Sequence, residues 1–148
     1  KTPKSVVAAQ IESVCMKYLL DTCAVSDFVK GNPKTLDKVK SLPPIDLAIS
    51  SVTEMEIKFG LALNQKTAQK IQPMLMDLLS VISIIPFGSK EAGISGKLRA
   101  ELQRKGKPVG AYDLLIAGTA IAHRLKLVTS NVREFRQIRQ LAVENWRG

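Results

Sequence analysis

Histidine occurs once in this chain of 148 residues, at His123, and cysteine only twice, at Cys15 and Cys23. A disulfide framework needs more cysteines, and no CxxC or His-rich spacing suggests zinc. Without a disulfide framework, a cytoplasmic home is the default expectation. No apolar run reaches the roughly 18 residues that would span a bilayer. The longest, around Leu114 to Ala122, is interrupted by Gly118 and Thr119. Lys1 and Lys4 are not followed by an apolar stretch of the secretory kind, so no signal segment is expected. No membrane partner is expected.

Acids are in short supply too: 13 Asp and Glu stand against 22 Lys and Arg, a formal net charge of +9. Such an excess points to a polyanion, nucleic acid first. Apolar residues make up 45% of the chain and charged ones 24%, the balance of an ordinary globular protein. The length favours one domain with one real core.

Residues 1–15 carry no clean strand or helix signal. They read as a leader or upstream extension outside the fold, with Met16 as a natural translation start and 16–148 as the domain. From there strands and helices alternate. Strands are expected at Lys17–Asp21, Asp46–Ser50, Val81–Pro86, Leu125–Thr129 and, at an edge, Ala142–Trp146. Helices are expected at Thr22–Lys30, Pro33–Ser41, from Ser51 to about Asn64, Thr67–Ser80, Gly88–Lys105 and Ala111–Arg124, with a short one between Asn131 and Gln140. Alternation implies an α/β fold with a mostly parallel sheet and helices on both faces.

In such sheets the site lies at the carboxyl ends of the strands. Asp21 closes the first strand, and it is equally a good helix N-cap. Glu56 shares a helical stripe with Val52, Phe59 and Leu63, so it points where apolar residues point. A carboxylate there needs a cation or donors, an Arg ion pair being the plainer option. Glu54 and Lys58 form an ordinary i,i+4 surface pair. Asp113 opens the most apolar helix, on a stripe with Ile116, Ala117 and Ala120; a first-turn acid also suits the helix dipole. Asn131 and Glu134 follow the fourth strand, and either could reach the same rim. Clustered acids repel and raise each other's pKa values, which a hard divalent cation relieves. Mg²⁺ and Mn²⁺ prefer oxygen ligands and activate water without a catalytic histidine. His123 therefore reads as a surface or packing residue, and Cys23 as a small neutral one.

Five stretches in order carry a family resemblance: Tyr18-Leu19-Leu20-Asp21-Thr22; Ile49 to Gly60 around Thr53 and Glu56; Ile94 to Leu102 with Arg99; Gly106 to Gly118 around Asp113; and Leu127 to Phe135, followed by Glu144-Asn145-Trp146. Together they resemble the PIN-domain nucleases, and among them the VapC toxins of bacterial toxin–antitoxin pairs. The resemblance implies a PIN-like three-layer α/β/α fold with a small four- to five-stranded sheet. It implies Mg²⁺- or Mn²⁺-dependent endoribonuclease activity, an RNA substrate such as tRNA, a VapB-type antitoxin and a homodimer. Asp21, Glu56 and Asp113 match the three metal-binding acids, and Thr22 and Thr53 match supporting polar residues. Two positions depart from the pattern. Cys23 replaces a usual Asn, and Asn131 a frequent fourth acid, which leaves that charge to Glu134. Lys97, Arg99, Arg104, Lys105 and Lys107 are candidates for holding RNA phosphates, or simply a solvated face. The competing class is a catalytically weakened RNA- or partner-binding module on the same fold. Phosphotransfer chemistry would want a second acid in Asp21-Thr22-Cys23, which is missing.

Overall fold

The computed structural model describes residues 16–148; the expectation for residues 1–15, Cys15 included, lies outside them. Five short strands form one sheet: β1 (Tyr18–Leu20), β2 (Leu47–Ser50), β3 (Ser83–Ile85), β4 (Lys126–Val128) and β5 (Val143–Glu144). Their order is β3-β2-β1-β4-β5, and every pairing is parallel. Seven α-helices, α1 (Thr22–Val29), α2 (Pro33–Ser41), α3 (Ser51–Leu63), α4 (Gln65–Val81), α5 (Ser89–Arg104), α6 (Ala111–Ala122) and α7 (Val132–Phe135), and one 3-10 turn (Pro44–Asp46) connect them.

The chain winds outward from β1 to β3, then returns to the other side of β1 with β4. The order therefore reverses between β1 and β4, where a crevice forms at the strand ends. The Asp21 N–H donates to the Val128 carbonyl at 3.0 Å, which ties the two strand ends together.

Side-chain alternation splits the core into two layers. Leu19, Ala48 and Leu127 join one cluster with Leu98, Ile116 and Phe135. Leu20, Ile49 and Val128 join the other with Val25, Phe28, Leu75 and Trp146. Each of these strand residues is almost wholly buried, as a parallel sheet covered on both faces requires.

The expected elements are present, with shifted ends. Helix α4 starts at Gln65 because Asn64 caps it, accepting from the Thr67 N–H at 3.1 Å. It also takes Val81, since the Ile82 N–H still reaches the Leu78 carbonyl, so β3 shrinks to Ser83–Ile85. Helix α6 stops at Ala122, with His123 as cap and Arg124 in the left-handed region at φ 56°. That last turn lets β4 begin two residues later. Among the described residues no helix is long and apolar enough to cross a membrane.

Candidate active site

Asp21 follows β1 and caps α1. It is 2% exposed, and its Oδ1 accepts from the Ala24 N–H at 2.8 Å. Burial lifts its carboxyl from the usual 3.8 to about 6, against the pull of donors from Thr129 and Ala24. Thr22, the next residue, donates its hydroxyl to Glu56 Oε1 at 2.6 Å.

Glu56 comes from α3, whose N-cap is Ser50: that hydroxyl accepts from the Val52 N–H at 3.0 Å. The expected apolar stripe is only half real. Val52 is buried, whereas Phe59 is 61% and Leu63 72% exposed, and Glu56 itself is half-buried. Further along the helix it is Ile57 and Leu61 that pack against the core, so Phe59 and Leu63 lie on the face turned to solvent. Glu56 is answered by Thr22 rather than by an Arg. The Glu54–Lys58 surface pair forms at 3.3 Å. Thr53, one turn before Glu56, is fully buried, and its hydroxyl has no hydrogen-bond partner.

Asp113 stands in the first turn of α6, half-buried above the fully buried Ile116, Ala117 and Ala120. Burial comes first, then the hydrogen bond with Glu134 and repulsion from Glu134, Asp21 and Glu56. Together they push Asp113 to about 7. Glu134 moves the other way: accepting from Asp113, the Gly110 N–H and Asn131 lowers its pKa despite burial. The neutral form is thus favoured on Asp113 and the charged form on Glu134. Gly110 N lies 2.9 Å from Glu134 Oε2, and Asn131 Nδ2 lies 2.8 Å from Oε1. A side chain at Gly110 would sit 3.6 Å from an Asp113 oxygen and 3.7 Å from a Glu134 oxygen, so the bare backbone keeps this edge open.

Glu134, Asp21 and Glu56 therefore all lie within electrostatic reach of Asp113. Sequence reasoning missed Thr129. It is almost fully buried, bonds Asp21, and accepts from the Asn131 N–H at 2.9 Å. Its signal was a hydroxyl at the end of the strand beside β1. Cys23 is exposed, and partial burial of its sulfur next to Asp21 raises the thiol, the opposite of an activated nucleophile. His123 is more than a surface residue. Its Nε2 sits 2.6 Å from Glu91 Oε2. Burial would raise Glu91, but the bonds from His123 and the Gly88 N–H outweigh it and lower its pKa.

The donor set suits a hard divalent ion: oxygen only, acids in mutual repulsion, and an unpartnered hydroxyl at Thr53. Among the described residues no three acids already converge as a ligand group. Glu56 is held by Thr22, and Glu134 by Gly110 and Asn131. Mg²⁺ is compatible with that, because it keeps most of its waters and takes one or two carboxylates.

Of the expected phosphate contacts, Lys97, Arg104 and Lys105 are exposed on α5 and just past its end. Arg99 and Lys107 line a groove of about 500 Å³ beside the acids.

Residues 18–141 match the PIN domain family model. The chain is 43% identical to "Ribonuclease VapC2" of Rickettsia felis over 138 residues, spanning 88% of this chain and 98% of that protein. It is 34% identical to the "tRNA(fMet)-specific endonuclease VapC" of Salmonella typhimurium over 131 residues, with the same coverage. The crystal structure of VapBC2 from Rickettsia felis, bound to a DNA fragment from its promoter, superposes with a TM-score of 0.81 at 37% identity. That match covers 88% of this chain and 99% of the other. The chain belongs to the PIN-domain family, and within it to the VapC ribonucleases.

Proposed function

We propose that this protein is the toxin of a type II toxin–antitoxin pair and hydrolyses RNA phosphodiesters with Mg²⁺ or Mn²⁺ held at Asp21 and Asp113. The observation that carries the reading is the crowding of Asp113 by Glu134, Asp21 and Glu56, a gathering of negative charge that a divalent cation would relieve. A divalent ion, when bound, supplies a nucleophile from water and screens the phosphodiester charge.

The chain's own residues do the rest. Asp21 is immobilised at the end of β1 by donors from Ala24 and Thr129. Thr22 fixes the Glu56 carboxylate. Asn131 and Gly110 hold the charged Glu134 carboxylate beside Asp113. Asn131 thereby acts through Glu134 as a positioning residue. Preorganised groups of this kind spare reorganisation in the transition state.

The Salmonella relative's name makes initiator tRNA the first substrate to try. The VapBC2 complex makes a VapB-type antitoxin the partner. An apolar groove of about 200 Å³ between α1, α3 and α4 carries Thr22 and Glu56 on its rim, with Ile57, Leu61, Ile71 and Leu75 inside. An antitoxin helix laid there would set a basic side chain beside Glu56, answering the acids. An RNA substrate and such a partner favour a cytoplasmic home, and a homodimer is the expected assembly.

The test is cleavage of labelled initiator tRNA with Mg²⁺, Mn²⁺ or EDTA. Metal-dependent cutting that vanishes in Asp21→Asn supports the reading. RNA binding without cutting under any metal favours instead the weakened binding module that Cys23 and Asn131 suggest.

A further inference from the structure

The groove beside the acids is distinct from the crevice that holds them. It lies between the last turns of α5, the 105–110 loop and the start of α6. Its floor is Leu102 and Leu114, only 5% and 8% exposed, and its wall is Pro108, Val109 and Ala111. Its polar lining is Arg99, Gln103 and Lys107, and no acid lines it. A volume of about 500 Å³ falls in the usual range for a small-molecule site.

We propose that this groove takes one unstacked nucleotide of the RNA, next to the phosphate that is cut; this rests on the ribonuclease reading above. Three observations point the same way. The floor is apolar, as an expelled base needs. The two cations provide for a phosphate, and the Gln103 amide offers both donor and acceptor to a base edge. Arg99 adds a planar guanidinium that can stack on a base as well as bind a phosphate.

The third observation is continuity. Val109 and Ala111 wall the groove, while Gly110 between them holds Glu134 through its N–H at 2.9 Å. Consecutive Cα atoms are only about 3.8 Å apart. A strand whose phosphate lies at Asp113 therefore has its neighbouring nucleotide at the groove. Single-stranded RNA is recognised in this manner, by bases splayed onto side chains. The groove thus makes the protein sensitive to the base beside the cut, and Gln103 is the residue that reads it.

The experiment uses the whole protein with methyl-labelled Leu and Val, in EDTA, titrated with the four nucleoside 5′-monophosphates, ribose 5-phosphate and inorganic phosphate. The expected result is that nucleotides move the Leu102, Val109 and Leu114 methyl signals. The base-free compounds should do so about tenfold more weakly or worse, the usual weight of base contacts. Arg99→Ala and Lys107→Ala, both at exposed positions, should weaken the nucleotide response. Equal responses to ribose 5-phosphate overturn the proposal. So do methyl signals that no nucleotide moves. The probes are neither cut nor metal-dependent, so this outcome is separate from whether the protein cleaves RNA.

Discussion

Thr22 donates its hydroxyl to Glu56 across 2.6 Å, joining the first residue of α1 to the second turn of α3. The two residues are 34 apart in the chain, and the bond is what aims a half-buried carboxylate at the site.

Thr22→Val removes the donor but keeps the shape. Glu56 then loses its orientation while the fold keeps its core, since Thr22 itself is only half-buried. We expect kcat/KM for RNA to fall about tenfold, the size of one charged hydrogen bond of roughly 1.5 kcal/mol. Thermal melting should shift by a few degrees at most. An unchanged kcat/KM would remove Glu56 from the working site.

The acid cluster ties stability to pH and metal. Asp21 and Asp113 hold protons in the fold up to about 6 and about 7, while the unfolded chain releases them near 3.8. Between those values the folded state binds more protons, so stability falls as pH rises. In EDTA the melting temperature should therefore drop as the pH is raised from about 5 to about 8, as far as these two groups decide it. Mg²⁺ binds the deprotonated acids, so its stabilisation should grow over the same interval. Asp113→Asn should flatten both trends. A melting temperature in EDTA that climbs with pH even in Asp113→Asn-corrected comparison would contradict the cluster's charge state.

Helices α5 and α6 touch backbone to backbone at one point. A Cβ on Gly118 would stand 1.9 Å from Ser95 Oγ, 3.0 Å from its Cβ and 3.2 Å from its Cα. Gly118→Ala should thus cost about 1–3 kcal/mol of stability, the usual range for overpacking. Ser95 Oγ is buried with no partner, so Ser95→Ala alone should be close to neutral. Ser95→Gly should recover most of the loss when combined with Gly118→Ala. Denaturant unfolding of the four variants checks this cycle; a lone Gly118→Ala as stable as the parent would contradict the close approach.

Much of the layout was legible in the sequence, because it rests on local signals. Asp21 ends an apolar run, so patterning set it at a strand's carboxyl end; Asp113 opens the most apolar helix, and the family resemblance joined it to the same site. Patterning failed where it had to know what covers a face. The stripe from Val52 to Leu63 is real on the helix, yet Phe59 and Leu63 are exposed, because nothing in the described residues packs on them. Pairings across the chain were also out of reach. His123 meets Glu91, and Thr129 meets Asp21, only because the parallel sheet brings distant segments together. Neither pair has a spacing that a sequence displays.

The most direct test of the account is single-turnover cleavage of labelled RNA with Mg²⁺ by the parent protein and by Asp113→Asn, each checked for folding by circular dichroism. The account predicts cutting by the parent that EDTA abolishes and Mg²⁺ restores. It predicts at least a hundredfold loss in the folded Asp113→Asn protein, the scale on which a lost catalytic group acts. Cutting that persists in EDTA, or an Asp113→Asn protein as fast as its parent, would contradict it.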